Sequence, residues 1–170
     1  MKKKVVRSSI VVAILVAIEM VIKIIIDVFF MEKKLIFFEQ FGFKPHLNTT
    51  QLSMFNNELD MGVSTAALIV LNIALILLVP VGLYFLHRND NLCDAIYVVQ
   101  DLLMAGMVCS LLDKVFWGGS LDYIYLFGRW IVDLKDIYMV AGLVVYIYCG
   151  VECMMRQYRE KKAVSDGLVK

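Results

Sequence analysis

Charge is scarce in this 170-residue chain: Asp, Glu, Lys and Arg make up 19% of it, where soluble domains carry roughly 25%. Apolar residues fill the gap at 61%, against a norm of roughly 45–50%. So short a chain exposes most of its surface and cannot enclose that many apolar side chains. Lipid must solvate the excess. No sign of charge dominates either, with 17 Lys+Arg against 16 Asp+Glu, so nothing supports a nucleic-acid binder, whose footprint is a basic patch. Cysteine is rare, and Cys93, Cys109, Cys149 and Cys153 lack the paired spacing of a zinc site. They lie in or beside apolar runs, where Cys acts as a small hydrophobe, and are too few for a disulfide scaffold. The two histidines, His46 and His87, fall near opposite ends of the membrane, so no metal site is expected. Internal repeats and low-complexity stretches are missing, and only about Glu160 to Lys170 reads as a solvated tail.

What is present is a set of four apolar segments: 8–30, 64–86, 95–112 and 137–155. At about 1.5 Å rise per residue the shortest gives roughly 27 Å of helix, close to a hydrocarbon core of about 30 Å. The first is too long, and too charged in its middle, for a cleaved signal peptide, and is kept as a helix. Pro80 in the second marks a kink. Ten basic residues cluster at the two termini and at Arg88, while the loops 31–63 and 113–136 hold six over more length. This bias places both termini in the cytoplasm and both long loops outside.

Neither outer loop reads as disordered. Phe41 and Phe43 alternate with polar neighbours until Pro45 interrupts, which suggests a short half-buried strand. Leu121, Tyr123 and Tyr125 alternate with Asp122 and Ile124, followed by a turn at Gly128 and the apolar run Trp130 to Val132. The expectation is an all-α integral membrane protein, one domain over residues 1–170, with four transmembrane helices and a small extracytoplasmic β platform.

Several polar residues stand out against this background. Glu19, Lys23 and Asp27 follow one another at i, i+4 steps on one face of the first helix. They read as an ion-pair ladder or, alternatively, as a proton or ion path, since intramembrane charges are costly unless paired or inward-facing. Asp101, beside Gln100 and one heptad after Asp94, suits a coupling-ion site or a hydrogen-bonded acid facing the bundle. Asp113, Asp122, Asp133 and Asp136 fall within 24 residues at the outer membrane surface. Asp133 or Asp136 can cap the fourth helix, whose positive end favours an anion. A turn centred near Arg129 would set Asp122 opposite Asp136, with Cβ atoms about 4.5–5.5 Å apart. Two carboxylates that close resist ionising together and share a proton, the arrangement with which aspartic proteases activate water.

At these residues the chain resembles signal peptidase II, the lipoprotein signal peptidase of bacteria, over nearly its whole length. The family's Asp-Gln-x-x-Lys in helix 1 is similar to Glu19-Met20-Val-Ile-Lys23, and its Asn-containing loop motif to Asn48 with Ser53 and Phe55 following. Gly-Asn-x-x-Asp-Arg is similar to Cys109-Ser110-Leu-Leu-Asp113-Lys114. Gly-x-Val-x-Asp-Phe is similar to Gly119-Ser-Leu-Asp122-Tyr123 in its Gly, Asp and aromatic, and Asn-x-Ala-Asp to Asp133-Leu-Lys135-Asp136. Both family catalytic aspartates have counterparts, and the substitutions fall around them. The resemblance implies a monomeric aspartic endopeptidase of the bacterial inner membrane that cuts diacylglyceryl-modified prolipoproteins, working among membrane lipid with no cofactor. Asp122 and Asp136 would be catalytic; Asn48, Ser110, Asp113 and Lys114 would orient substrate or dyad. Two other classes remain open at the sequence level. One is a non-catalytic lipoprotein- or signal-sequence-binding protein on the same scaffold, and the other a small proton-coupled transporter using Glu19, Lys23, Asp27 and Asp101.

Overall fold

The computed structural model describes residues 2–49, 64–90 and 95–165. Ser53, Phe55, Cys93 and Asp94 lie outside the described residues, as does the side chain of His87. The chain runs α1 (Lys2–Phe29), β1 (Leu35–Phe37), β2 (Phe41–Asn48), α2 (Thr65–Asp90), α3 (Ile96–Phe116), β3 (Ser120–Leu126), β4 (Trp130–Val132) and α4 (Leu134–Ser165).

All four helices are long and apolar enough to cross a membrane. In lipid every backbone N–H and C=O must be satisfied within the segment, so apolar runs of this length become helices. Ile10, Ile14, Ile18, Val21 and Ile25 form an exposed stripe along α1, while Glu19, Lys23 and Ile26 turn inward. The helix thus offers aliphatic side chains to lipid and its charges to the protein. α3 packs against α1, α2 and α4 and is the most enclosed of the four. Small residues allow this: a Cβ on Gly106 would stand 3.2 Å from the Lys135 carbonyl and 2.5 Å from Met139 Cγ. Glycine there lets α4 lie close to α3. Ile96, Val99 and Cys149 fill the α3–α4 seam at one end of the bundle, and Ile26, Leu121 and Tyr123 pack where α1 meets the sheet.

The sheet is antiparallel in the order β1-β2-β3-β4. Both hairpins turn through paired positive-φ residues, Phe38-Glu39 and Phe127-Gly128, the backbone twist that matches flanking strands. Gly128 N–H donates to Gln40 O at 3.1 Å and joins the two turns. Pro45 does not end its strand. The register between β2 and β3 shifts between Phe43 and His46, a bulge that absorbs the missing N–H donor. β2 therefore continues to Asn48, which pairs with Ser120.

Three expectations are corrected. The β3–β4 register pairs Ile124 with Val132 and Leu126 with Trp130, so the hairpin centres on Gly128 rather than Arg129. The fourth helix reaches back beyond the apolar segment to Leu134, as the Asp133 cap requires, and α3 runs on to Phe116, so the connection between them is shorter than 113–136. At the other end α4 extends to Ser165, through part of the expected tail.

Candidate active site

Two helix ends and one strand deliver the polar residues. α3 stops where Trp117 N–H donates to Asp113 O at 2.8 Å and Gly118 takes φ 64°, the left-handed residue that commonly follows a helix C-terminus. This sends the chain directly into β3, where Ser120 and Asp122 share one face and Leu121 and Tyr123 the other. α4 opens with a reciprocal cap. Asp136 N–H donates to Asp133 Oδ1 at 3.1 Å, and Asp133 N–H donates to Asp136 Oδ2 at 3.4 Å, the geometry of a capping box with Asp in place of Glu.

Asp122 and Asp136 meet, but by another route than a hairpin ladder. Across the sheet Asp122 pairs with His46, and Asp136 arrives from the first turn of α4. One carboxylate oxygen each from Asp122, Asp133 and Asp136 lie within 4.8 Å of one another. Such a group could hold a cation, and the protein supplies its own: the Lys135 ammonium binds Asp133 and lies 3.6 Å from Asp122 Oδ1.

The i, i+4 ladder on α1 keeps its Glu19–Lys23 rung and exchanges Asp27 for a network between helices. Lys23 Nζ lies 2.6 Å from Asp113 Oδ2, 2.5 Å from Asp133 Oδ2 and 3.2 Å from Glu19 Oε1, with all four side chains fully buried. Asp27 is left out; it is exposed and accepts a hydrogen bond from Trp117 Nε1 at 3.1 Å. Tyr123 O–H donates to Glu19 Oε2 at 3.0 Å. Lys135 Nζ also reaches Ser120 Oγ at 2.6 Å and Asp113 Oδ2 at 3.1 Å, and Ser120 O–H donates to Asp122 Oδ1 at 2.6 Å. Charges buried this deeply persist because each faces its opposite at hydrogen-bond range. Glu19 Oε1 and Asp113 Oδ1 are the exceptions, buried without a hydrogen-bond partner among the described residues.

Outside the spans, the ionisation of the cluster is uneven. Burial pushes the Asp122 carboxyl above its ordinary value, against the pull of Lys135 and the Ser120 hydrogen bond. Burial also opposes the charge on Asp133, yet Lys135 and Lys23 together hold its carboxyl below the ordinary value. Burial, with Glu19 beside it, pushes the Tyr123 hydroxyl up, so it stays a neutral donor.

The remaining candidates divide. Asp113 belongs to the cluster, and Asn48 stands opposite Ser120 in the neighbouring strand. Ser110 and Lys114 pair with each other one turn apart, Nζ to Oγ at 2.8 Å. Asp101 accepts a hydrogen bond from Ser8. Ser8 lies eleven residues before Glu19 on α1, roughly 16 Å along the helix, so Asp101 is not part of the Glu19–Lys23 group. Cys109 and Cys149 are buried packing residues. Sequence reasoning missed Ser120 and the partners of Lys135. The signal for Ser120 was available, since it stands two residues before Asp122 in a strand.

The family model described as signal peptidase (SPase) II matches residues 11–151, a span that holds the whole cluster. Two solved structures, each a bacterial membrane enzyme determined by the in meso method, share the fold. One, at 2.3 Å resolution, has a TM-score of 0.65 and 17% identity over 86% of this chain and 88% of its own. The other, at 1.9 Å, has a TM-score of 0.59 and 18% identity over 84% of this chain and 90% of its own. No curated protein matches the chain.

Proposed function

Because this chain belongs to the signal peptidase II family, we propose that it is a membrane-embedded aspartic endopeptidase removing signal peptides from lipid-modified prolipoproteins. The observation that carries this reading is the convergence of Asp122 and Asp136, with carboxylate oxygens within 4.8 Å, where the bundle meets the sheet. Two acids at that distance in a partly dehydrated site favour one proton between them. The ionised carboxylate accepts a proton from water as the water oxygen bonds to the scissile carbonyl carbon, and the other acid protonates the carbonyl oxygen. The C–N bond then breaks. The first acid passes its proton to the leaving nitrogen, and a hydroxyl of the diol returns one to the second, which restores the resting pair.

Lipid on the substrate works through position. A diacylglyceryl group anchors the precursor in the bilayer and holds its scissile bond at the depth of the aspartates. Asn48, on the strand beside Ser120, and the Ser110–Lys114 pair at the end of α3 orient the substrate. Lys114 offers a point charge rather than a bidentate fork. Asp113 orients the dyad instead, through Lys135 and Ser120. The enzyme acts as a monomer in the bacterial inner membrane with both termini cytoplasmic, which turns the sheet outward.

The test is incubation of the purified protein with a diacylglyceryl-modified prolipoprotein and with the same precursor unmodified, read by gel shift. Cleavage of the modified precursor alone is expected. Absence of cleavage with retained binding of the signal sequence would replace this reading by the non-catalytic one.

A further inference from the structure

Lys135 is the second residue of α4, and its side chain is only 7% exposed. Lysine is seldom buried to that degree unless paired. Its ammonium binds Asp133, donates to Ser120 Oγ at 2.6 Å, and lies 3.1 Å from Asp113 Oδ2 and 3.6 Å from Asp122 Oδ1. The placement is asymmetric with respect to the two aspartates. Asp122 has both the ion pair with Lys135 and the Ser120 hydrogen bond at 2.6 Å. The Lys135 charge acts on Asp136 as well, but the contact that Asp136 accepts is the Asp133 N–H at 3.4 Å.

Ser120 makes the asymmetry directional. Its oxygen receives a Lys135 proton, so its single O–H is free to point to an acceptor. Asp122 Oδ1 at 2.6 Å is nearer than Asp113 Oδ2 at 3.4 Å. From the ordering of donors and charges around the pair, we infer that Lys135 holds Asp122 as the resident anion and leaves the shared proton on Asp136. The start of α4 favours the opposite assignment. However, a helix terminus presents about half an elementary charge spread over several N–H groups, whereas the ammonium presents a whole one. The Asp133 carboxylate, as the cap, already occupies that terminus.

The groups facing Asp122 are Lys23 from α1, Asp113 from α3, His46 from β2, and Asp133, Lys135 and Asp136 from the start of α4. Lys135 is the largest influence opposing the upward push of burial on Asp122. The two residues that depart from the Asn-x-Ala-Asp pattern, Asp133 and Lys135, are thus each other's partners. Together they bring one cation to the dyad with its counter-charge. Lys135 touches no reacting atom; it is a positioning residue that assigns Asp122 to take the proton of water and Asp136 to protonate the carbonyl oxygen.

The assignment rests on the aspartic reading of the site, but its test does not require turnover. The full-length protein carrying ¹³C-carboxyl aspartate is titrated in micelles, with the Asp122 and Asp136 resonances assigned by their loss in Asp122→Asn and Asp136→Asn. In the parent, Asp122 should titrate below Asp136. In Asp133→Asn/Lys135→Ala, which removes a cation and an anion together, the Asp122 midpoint should rise by about one pH unit. The acid limb of the cleavage profile should move up with it, since a lost cation makes the anion harder to form. The reverse order in the parent, or an unmoved midpoint in the folded double variant, would overturn the inference. A parent that cleaves nothing while the Asp122 midpoint still moves would defeat the peptidase reading and leave the charge assignment standing.

Discussion

Lys23 on α1 reaches Asp133 at the start of α4, 110 residues later, with its ammonium 2.5 Å from the carboxylate. Asp113 on α3 lies 2.6 Å from the same ammonium. One side chain thus joins the first, third and fourth helices at the depth of the dyad. It also fixes the residue that caps the helix carrying Asp136.

Removal of that ammonium should therefore loosen both bundle and site. Lys23→Met leaves Glu19, Asp113 and Asp133 buried with one cation fewer, and losing one partner of a buried pair costs about 3–5 kcal/mol. Thermal unfolding in detergent should show a clear loss of melting temperature. An unchanged melting temperature would mean that the network carries no stability.

Asp133→Asn looks harmless from the family pattern, yet Asp133 binds both Lys23 and Lys135. The single substitution should destabilise by about 3–5 kcal/mol, because two buried ammoniums lose their shared counter-charge. Asp133→Asn/Lys135→Ala should recover much of that loss, since contacting residues are not additive. A double-mutant cycle by thermal unfolding measures the coupling, and additivity within about 0.5 kcal/mol would contradict it.

Asp133 also sets an acid dependence. Its folded value lies below the ordinary 3.8, so its charge contributes stability that is fully present above 3.8 and lost as pH falls toward the folded value. The melting temperature of the parent should begin to drop below about pH 4. Asp133→Asn should show a shallower acid slope over the same window.

Orientation is open to direct labelling. Gly42 is unsuitable for a cysteine, because a Cβ there would lie 2.1 Å from the Leu35 carbonyl. Glu32 is exposed in the turn between α1 and β1, and Arg129 is exposed at the turn of the β3–β4 hairpin. Glu32→Cys and Arg129→Cys should react with an impermeant thiol reagent from the outer side of intact cells. Reaction only from the cytoplasmic side would reverse the topology.

How much of this was legible in the sequence follows from what each feature depends on. Four spans and a small sheet are local properties of apolar length and alternation, and both were readable. So was a cap at Asp133 or Asp136, though not that the two cap reciprocally. Of the partners of Lys23, Glu19 was readable, but Asp113 and Asp133 were not, because they lie 90 and 110 residues away and the nearer acid, Asp27, satisfied the same i, i+4 rule. The route by which Asp122 and Asp136 meet was misjudged, because the fourth helix begins at Leu134 and carries Asp136 off the sheet, while the turn itself centres on Gly128. Lys135 registered only as a departure from a family pattern; its meaning depends on the fold that brings Ser120 and Asp113 to it.

The most direct measurement of the central claim is cleavage of a diacylglyceryl-modified prolipoprotein by the parent, Asp122→Asn, Asp136→Asn and the double variant, each first shown to be folded by its melting curve. An amide is nearly isosteric with a carboxylate but cannot exchange the proton the reaction needs. Each single variant should therefore lose all detectable cleavage, and the double variant should be no worse than either. Full activity in a folded Asp122→Asn or Asp136→Asn protein would contradict the account.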